Sequence, residues 1–181
     1  MKKRHRIIFL LAILILVFAV RGPLFRLCVA YDPAGIREPV MDQKTGRTTV
    51  SPENRPDDPG INIHTIITRT LDQTAEKLEF SSGNCASDPE RLLISKKANC
   101  IGYARLFCHL FEKNTASGKF PEWTAQSYIG HISIFGKNIH PYVRHPFFKD
   151  HDFVIINNRV TGEKIAVDPS LYDYTGIGYV R

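Results

Sequence analysis

The chain has 181 residues, 43% of them apolar and 23% charged, with a formal net charge of +6. These proportions belong to a globular protein and exclude a disordered or fibrous chain. Five of the 24 basic residues (Lys2, Lys3, Arg4, Arg6 and Arg21) gather near the N terminus, so the remainder is only mildly basic. There is no Lys/Arg stripe with interleaved aromatics, which argues against nucleic acid as a partner.

Residues 1–6 are basic and residues 7–20 form an unbroken apolar run of 14, stopped by Arg21, Gly22 and Pro23. At about 1.5 Å per residue the run spans about 21 Å, short of a hydrocarbon core of about 30 Å unless Leu24, Phe25 and snorkelling arginines extend it. Two readings compete for residues 1–30: an uncleaved signal-anchor, which leads, and a cleavable signal peptide with a small-residue site at Cys28-Val29-Ala30. Both send the rest of the chain out of the cytoplasm, into a periplasmic or extracellular space. Residues 31–60, with Pro33, Pro39, Pro52, Pro56 and Pro59, read as an extended linker. One compact domain of about 120 residues follows, over 61–181, enough for a real core.

Within that domain Ile63, Ile66, Ile67, Thr70, Leu71, Thr74 and Leu78 recur at helical spacing, and Ser81–Asn84 ends the helix. Asp88 followed by Pro89 caps a short helix carrying Leu92 and Leu93. From Cys100 a broad apolar face (Ile101, Ala104, Leu106, Phe107, Leu110, Phe111) covers about three turns. Asn114, Ser117 and Gly118 close it. The period then changes to two: "TAQSYIGHISIFG" is a long strand with Gly130 as a candidate bulge, "HDFVIIN" a second and "KIAVD" a third. Helices followed by a short antiparallel sheet predict an α+β domain.

Cys100 falls in the first turn of its helix, where unpaired N–H groups and the helix dipole favour a thiolate, and Lys96 and Lys97 add to this if they approach. His151 opens one strand and Asp168 closes the next. A hairpin centred near 159.5, inside the polar turn Asn157–Gly162, sets the two directly opposite each other. An aspartate there holds an imidazole in one tautomer and stabilises its cation. Nucleophile, base and orienter are then present together. The plain alternatives are a buried core thiol, as expected for Cys108 among Leu106, Phe107, Leu110 and Phe111, and a disulfide from Cys85 to Cys100 or Cys108. His140 or His145 is the alternative base. There is no C-x-x-C and no paired Cys/His spacing, so neither metal nor cofactor is expected.

These residues resemble the transglutaminase-like superfamily of Cys-His-Asp enzymes. "ANCIGYARLF" resembles its cysteine helix, "HDFVIIN" its histidine strand, and "VDPS" its aspartate ending, in the family's order and with gaps of 51 and 17 residues. The resemblance covers roughly residues 61–175. Phe153 and Ala166 or Val167 stand where members often carry tryptophan. The resemblance implies a papain-like α+β core in which Cys100 is the nucleophile, His151 the general base and then acid, and Asp168 the orienter. The implied reaction is acyl transfer on a protein or peptide: hydrolysis by a protease or amidase, or transfer to an amine. The rival readings are an inactive membrane-tethered binding or scaffold module, and a related papain-like or arylamine acetyltransferase-like enzyme.

Overall fold

A computed structural model of the chain describes residues 2–38, 61–116, 120–144 and 150–181. Among these, six helices stand beside an antiparallel sheet, an α+β architecture. The apolar N-terminal run forms helix α1, Lys2–Ala19, and the chain turns at Val20 into α2, Arg21–Cys28. No single helix here is long and apolar enough to cross a membrane. The pair passes that test only together, bent by 63°.

Strand β1, Val29–Ile36, follows directly and pairs antiparallel with β4, Trp123–Ile134. Residues 31–36 therefore belong to the sheet and not to the expected linker; residues 39–60 of that linker lie outside the described residues. The physical reason is that Pro33 blocks only one N–H. The ladder absorbs it by a register shift between Pro33 and Gly35, which leaves Ala34 as the extra residue. The irregularity thus lies in β1, while Gly130, the expected bulge, continues the ladder opposite His151. Gly130 is glycine for a different reason: a Cβ there would approach the Phe153 ring to 2.7 Å.

Helix α3 spans Ile63–Ala75, capped by Asn62, whose side chain accepts from Thr65 N–H at 3.0 Å. It ends earlier than its apolar spacing suggests. Glu79–Phe80 leaves it to form β2, which pairs in parallel with β3, Lys97–Ala98, and Leu78 packs in a separate cluster with Leu92, Tyr103 and Leu106. Helix α4, Pro89–Ser95, starts on Asp88 as expected, the carboxylate accepting from Arg91 N–H.

Helix α5, Cys100–Ala116, packs on the sheet through Ala104, Phe107 and Phe111, which meet Trp123, Val154, Ile156 and Val167. Tyr103 is fully buried, like Phe107 and Phe111, whereas Ile101 is half-buried. The Tyr103 hydroxyl donates to Asp173 at 2.6 Å and so ties α5 to α6, Pro169–Thr175. Strand β6, His151–Asn158, lies between β4 and β7, Lys164–Val167, and a short β5, Lys137–Asn138, folds back on β4. The sheet order is β1-β4-β6-β7.

Candidate functional site

Three elements converge at one end of the sheet. Helix α5 begins at Cys100, β6 begins at His151, and β7 runs into α6 at Asp168. Cys100 is 8% exposed and unpaired, as are Cys28, Cys85 and Cys108, so the disulfide alternative is not formed. Asn99 precedes the helix. Its side chain accepts from Gly102 N–H at 3.3 Å and its carbonyl from Tyr103 N–H.

The hairpin register differs from the expectation by two positions. Val154 pairs with Val167 and Asn157 with Lys164, because the turn closes with Asn158 N–H donating to Glu163 and Gly162 N–H to Asn158. Extending the ladder sets Asp168 opposite Phe153 and makes His151 its diagonal neighbour. A slip of two keeps both side chains on one face. The longer gap is bridged by the imidazole itself: His151 Nε2 lies 2.7 Å from Asp168 Oδ2. With Nε2 engaged there, Nδ1 is the nitrogen left for Cys100, whose side chain lies close enough to act on the ring and raise it.

Asp168 is 0% exposed, and its two oxygens receive four hydrogen bonds. Oδ2 accepts from His151 and from the Tyr31 hydroxyl at 2.8 Å; Oδ1 accepts from the Ser170 hydroxyl at 2.7 Å and Leu171 N–H at 3.0 Å. An ionised carboxylate offers about four lone-pair sites, and all are filled. Burial alone would raise this carboxyl; the His151 charge and these donors outweigh it and hold Asp168 below the ordinary carboxylate range. Burial likewise pulls His151 down, but Asp168 and the Cys100 contact push it up to about 10. Tyr31 is raised by burial and then by Asp168, so its hydroxyl stays a donor. Its ring meets His151 edge-on at 5.4 Å and Phe153 at 5.3 Å.

On the opposite face of β6, Asp152 is 1% exposed and grips Arg37 in a two-point ion pair, with Nε at 2.8 Å and Nη2 at 2.6 Å. Bidentate geometry of this kind fixes orientation as well as charge. It anchors the residue that follows His151. An apolar recess of about 430 Å³, lined by Phe25, Val29, Ile132 and Leu171, reaches His151 and Asp168 from the side of α2; Cys100 is not on its wall.

Sequence reasoning named Cys100, His151 and Asp168, and all three meet here. It missed Tyr31, which sat in the expected linker, and Arg37, for the same reason. Ser170 was visible in "VDPS" without a role. Cys108 is half-buried and lies on the wall of a cavity rather than wholly in the core; burial pushes its thiol up. Lys96 and Lys97 are exposed. His140 does not take the base position, and His145 lies outside the described residues. His140 instead joins His131 and Asp150, with Asp150 Oδ1 3.6 Å from His140 Nδ1 and 3.8 Å from His131 Nε2. Among the described residues this is the group whose side chains could converge on a metal ion. No family model, curated protein or solved structure matches the chain.

Proposed function

We propose that this chain is a cysteine-nucleophile acyl-transfer enzyme of the transglutaminase-like, papain-like type, acting on amide or ester carbonyls outside the cytoplasm, with peptide or amide hydrolysis as its reaction. The observation that carries this reading is the 2.7 Å contact of His151 Nε2 with a buried, fully hydrogen-bonded Asp168, with Cys100, the first residue of α5, near enough to act on the same ring. The exposed apolar side chains of α1, among them Ile8, Phe9, Leu10 and Leu11, support a membrane anchor for the domain.

The proposed cycle uses only these groups. In the reactive pair the proton of Cys100 rests on Nδ1 of His151, whose ring is held in its cationic form, and the sulfur attacks the carbonyl carbon. The first-turn N–H groups of a helix lack intrahelical acceptors. Asn99 occupies that of Gly102, so those of Cys100 and Ile101 are the donors for the developing oxyanion. His151 then returns its proton through Nδ1 to the leaving amine or alcohol, and a thioester remains on Cys100. Water, losing a proton to His151, attacks the thioester, releases the acid and restores the thiol. Asp168 holds the ring orientation and stabilises the imidazolium throughout; it is a positioning residue.

The test is alkylation of the full-length protein in detergent with iodoacetamide at neutral pH, followed by peptide mapping, beside turnover of a generic ester. Cys100 is expected to label at least tenfold faster than Cys28, Cys85 and Cys108, and His151→Ala to remove that preference and the turnover together. Equal labelling of all four cysteines, or unchanged turnover in His151→Ala, overturns the reading.

A further inference from the structure

Between α5, β4 and the start of α4 lies a cavity of about 330 Å³, separate from the dyad, walled by Arg37, Ser87, Arg105, Cys108, Glu112 and Ser127. Two buried side-chain atoms among the described residues have no hydrogen-bond partner, Arg105 Nε and Ser127 Oγ, and both residues are on this wall. Ser127 is 5% exposed. Buried polar groups are nearly always paired, and each orphan costs desolvation with no return, so two at one cavity require an explanation.

The charge pattern points the same way. Arg37 has its counter-ion in Asp152. Arg105 spends Nη1 on the Ser87 hydroxyl and Nη2 on the Glu38 carbonyl, both at 2.8 Å, and both neutral. Burial and the neighbouring Arg37 charge pull its guanidinium down from the ordinary value, against a smaller opposing pull from Asp152. The acid on the wall, Glu112, is pushed up by burial, towards its neutral form, and His109 nearby is pushed down, away from its cation.

We propose that this cavity is a binding site for a carboxylate, held by Arg105 Nε and the Ser127 hydroxyl. Two donors on residues that line one cavity suit the two oxygens of one planar carboxylate, and the volume admits a short acyl or amino-acid-sized body behind it. The site is independent of the thiol chemistry: Arg105 stands five residues beyond Cys100, about 7.5 Å along the helix axis. Two sources offer this chemistry, a free small acid and the carboxylate of a peptide chain.

Isothermal titration of the full-length Cys100→Ala protein in detergent tests the proposal, because it needs no catalysis. The probes are propionate, glutarate and an acetylated dipeptide with a free C-terminal carboxylate, each paired with its neutral amide, and inorganic phosphate as a generic anion. Saturable binding of an acid, at least tenfold tighter than its amide and than phosphate, is expected. Arg105→Gln should weaken it tenfold or more and Ser127→Ala severalfold, the latter without lowering the melting temperature of the ligand-free protein. Tighter binding of the dipeptide assigns a chain end; tighter binding of the simple acids assigns a free metabolite. No acid binding, equal binding of acid and amide, equal binding of phosphate, or wild-type affinity in Ser127→Ala overturns the proposal. None of these outcomes depends on whether Cys100 is a nucleophile, which the alkylation experiment decides.

Discussion

Asp168, the N-cap of α6, and Arg105, on α5, are both ionised groups. The first has every acceptor site filled by the chain, while the second keeps one buried N–H without an acceptor, next to a serine hydroxyl in the same condition. A saturated centre can only hold its own neighbours in place. For Asp168 those are the His151 ring, the Tyr31 hydroxyl and the first turn of α6. An unsaturated centre costs free energy in the folded chain and becomes favourable only when something from outside completes it. The difference teaches which buried polar group belongs to scaffold geometry and which to ligand recognition.

Substitutions at the two centres should separate them by sign. The largest effect is expected from Asp168→Ala, which strips four donors of their acceptor: a loss of about 3–5 kcal/mol in urea unfolding, in line with removal of one member of a buried ionic network. Asp168→Asn, which retains an acceptor oxygen, should cost less stability but lower ester turnover by roughly 100-fold or more, because the ring loses its anionic partner.

The dyad should also make stability depend on pH. His151 is raised from 6.5 to about 10, so its contribution is complete below about pH 6.5 and disappears as pH climbs through 10. Asp168 is depressed, so its contribution is present above its ordinary value of 3.8 and is lost as pH falls through the lower folded value. The advantage of wild type over His151→Gln should therefore be widest between about pH 4 and 6.5. It should shrink by on the order of a few kcal/mol towards pH 10. A difference that grows with alkaline pH contradicts the ion pair.

Smaller again is Tyr31→Phe, which keeps the ring edge-on among Phe25, Phe153 and His151 but removes one donor to a charged acceptor. About 1.5–3 kcal/mol is expected, read from the unfolding midpoint. Ser127→Ala carries the smallest magnitude and the opposite sign, a gain of up to about 1 kcal/mol in the ligand-free protein, since a buried hydroxyl with no partner is removed. A loss of stability there would mean that the hydroxyl has a partner and the contrast with Asp168 fails.

Much of the site end could be read from local rules. Asp88-Pro89 starts α4 because a carboxylate cap and a residue without an N–H suit a helix N terminus, and the change of period after α5 marks the strands. His151 and Asp168 were paired from turn composition alone. The register differs by two because Asn158 and Glu163 close a turn of the same length centred one residue later than Asn157–Gly162; the parity survives, and with it the shared face. Helix α3 ends before Leu78, which continues its spacing while packing in a different cluster. Nothing local reveals Tyr31, whose acceptor is 137 positions away, or the Arg37–Asp152 pair, 115 apart. Both sit in a segment whose prolines read as linker.

By itself the sequence located α3, α4, α5, β4, β6 and β7, the class of fold they make, and the order in which a thiol, an imidazole and a carboxylate occur along the chain, since capping, periodicity and turn chemistry act over a few residues. Only the tertiary structure decided that β1 completes the sheet, that Tyr31, Ser170 and Leu171 fill the remaining acceptor sites of Asp168, and that Arg105 Nε and Ser127 Oγ, on residues lining one cavity, are left without partners. Those outcomes depend on contacts between residues far apart in sequence, and whether a buried polar group is satisfied is a property of its assembled surroundings, not of its neighbours in the chain.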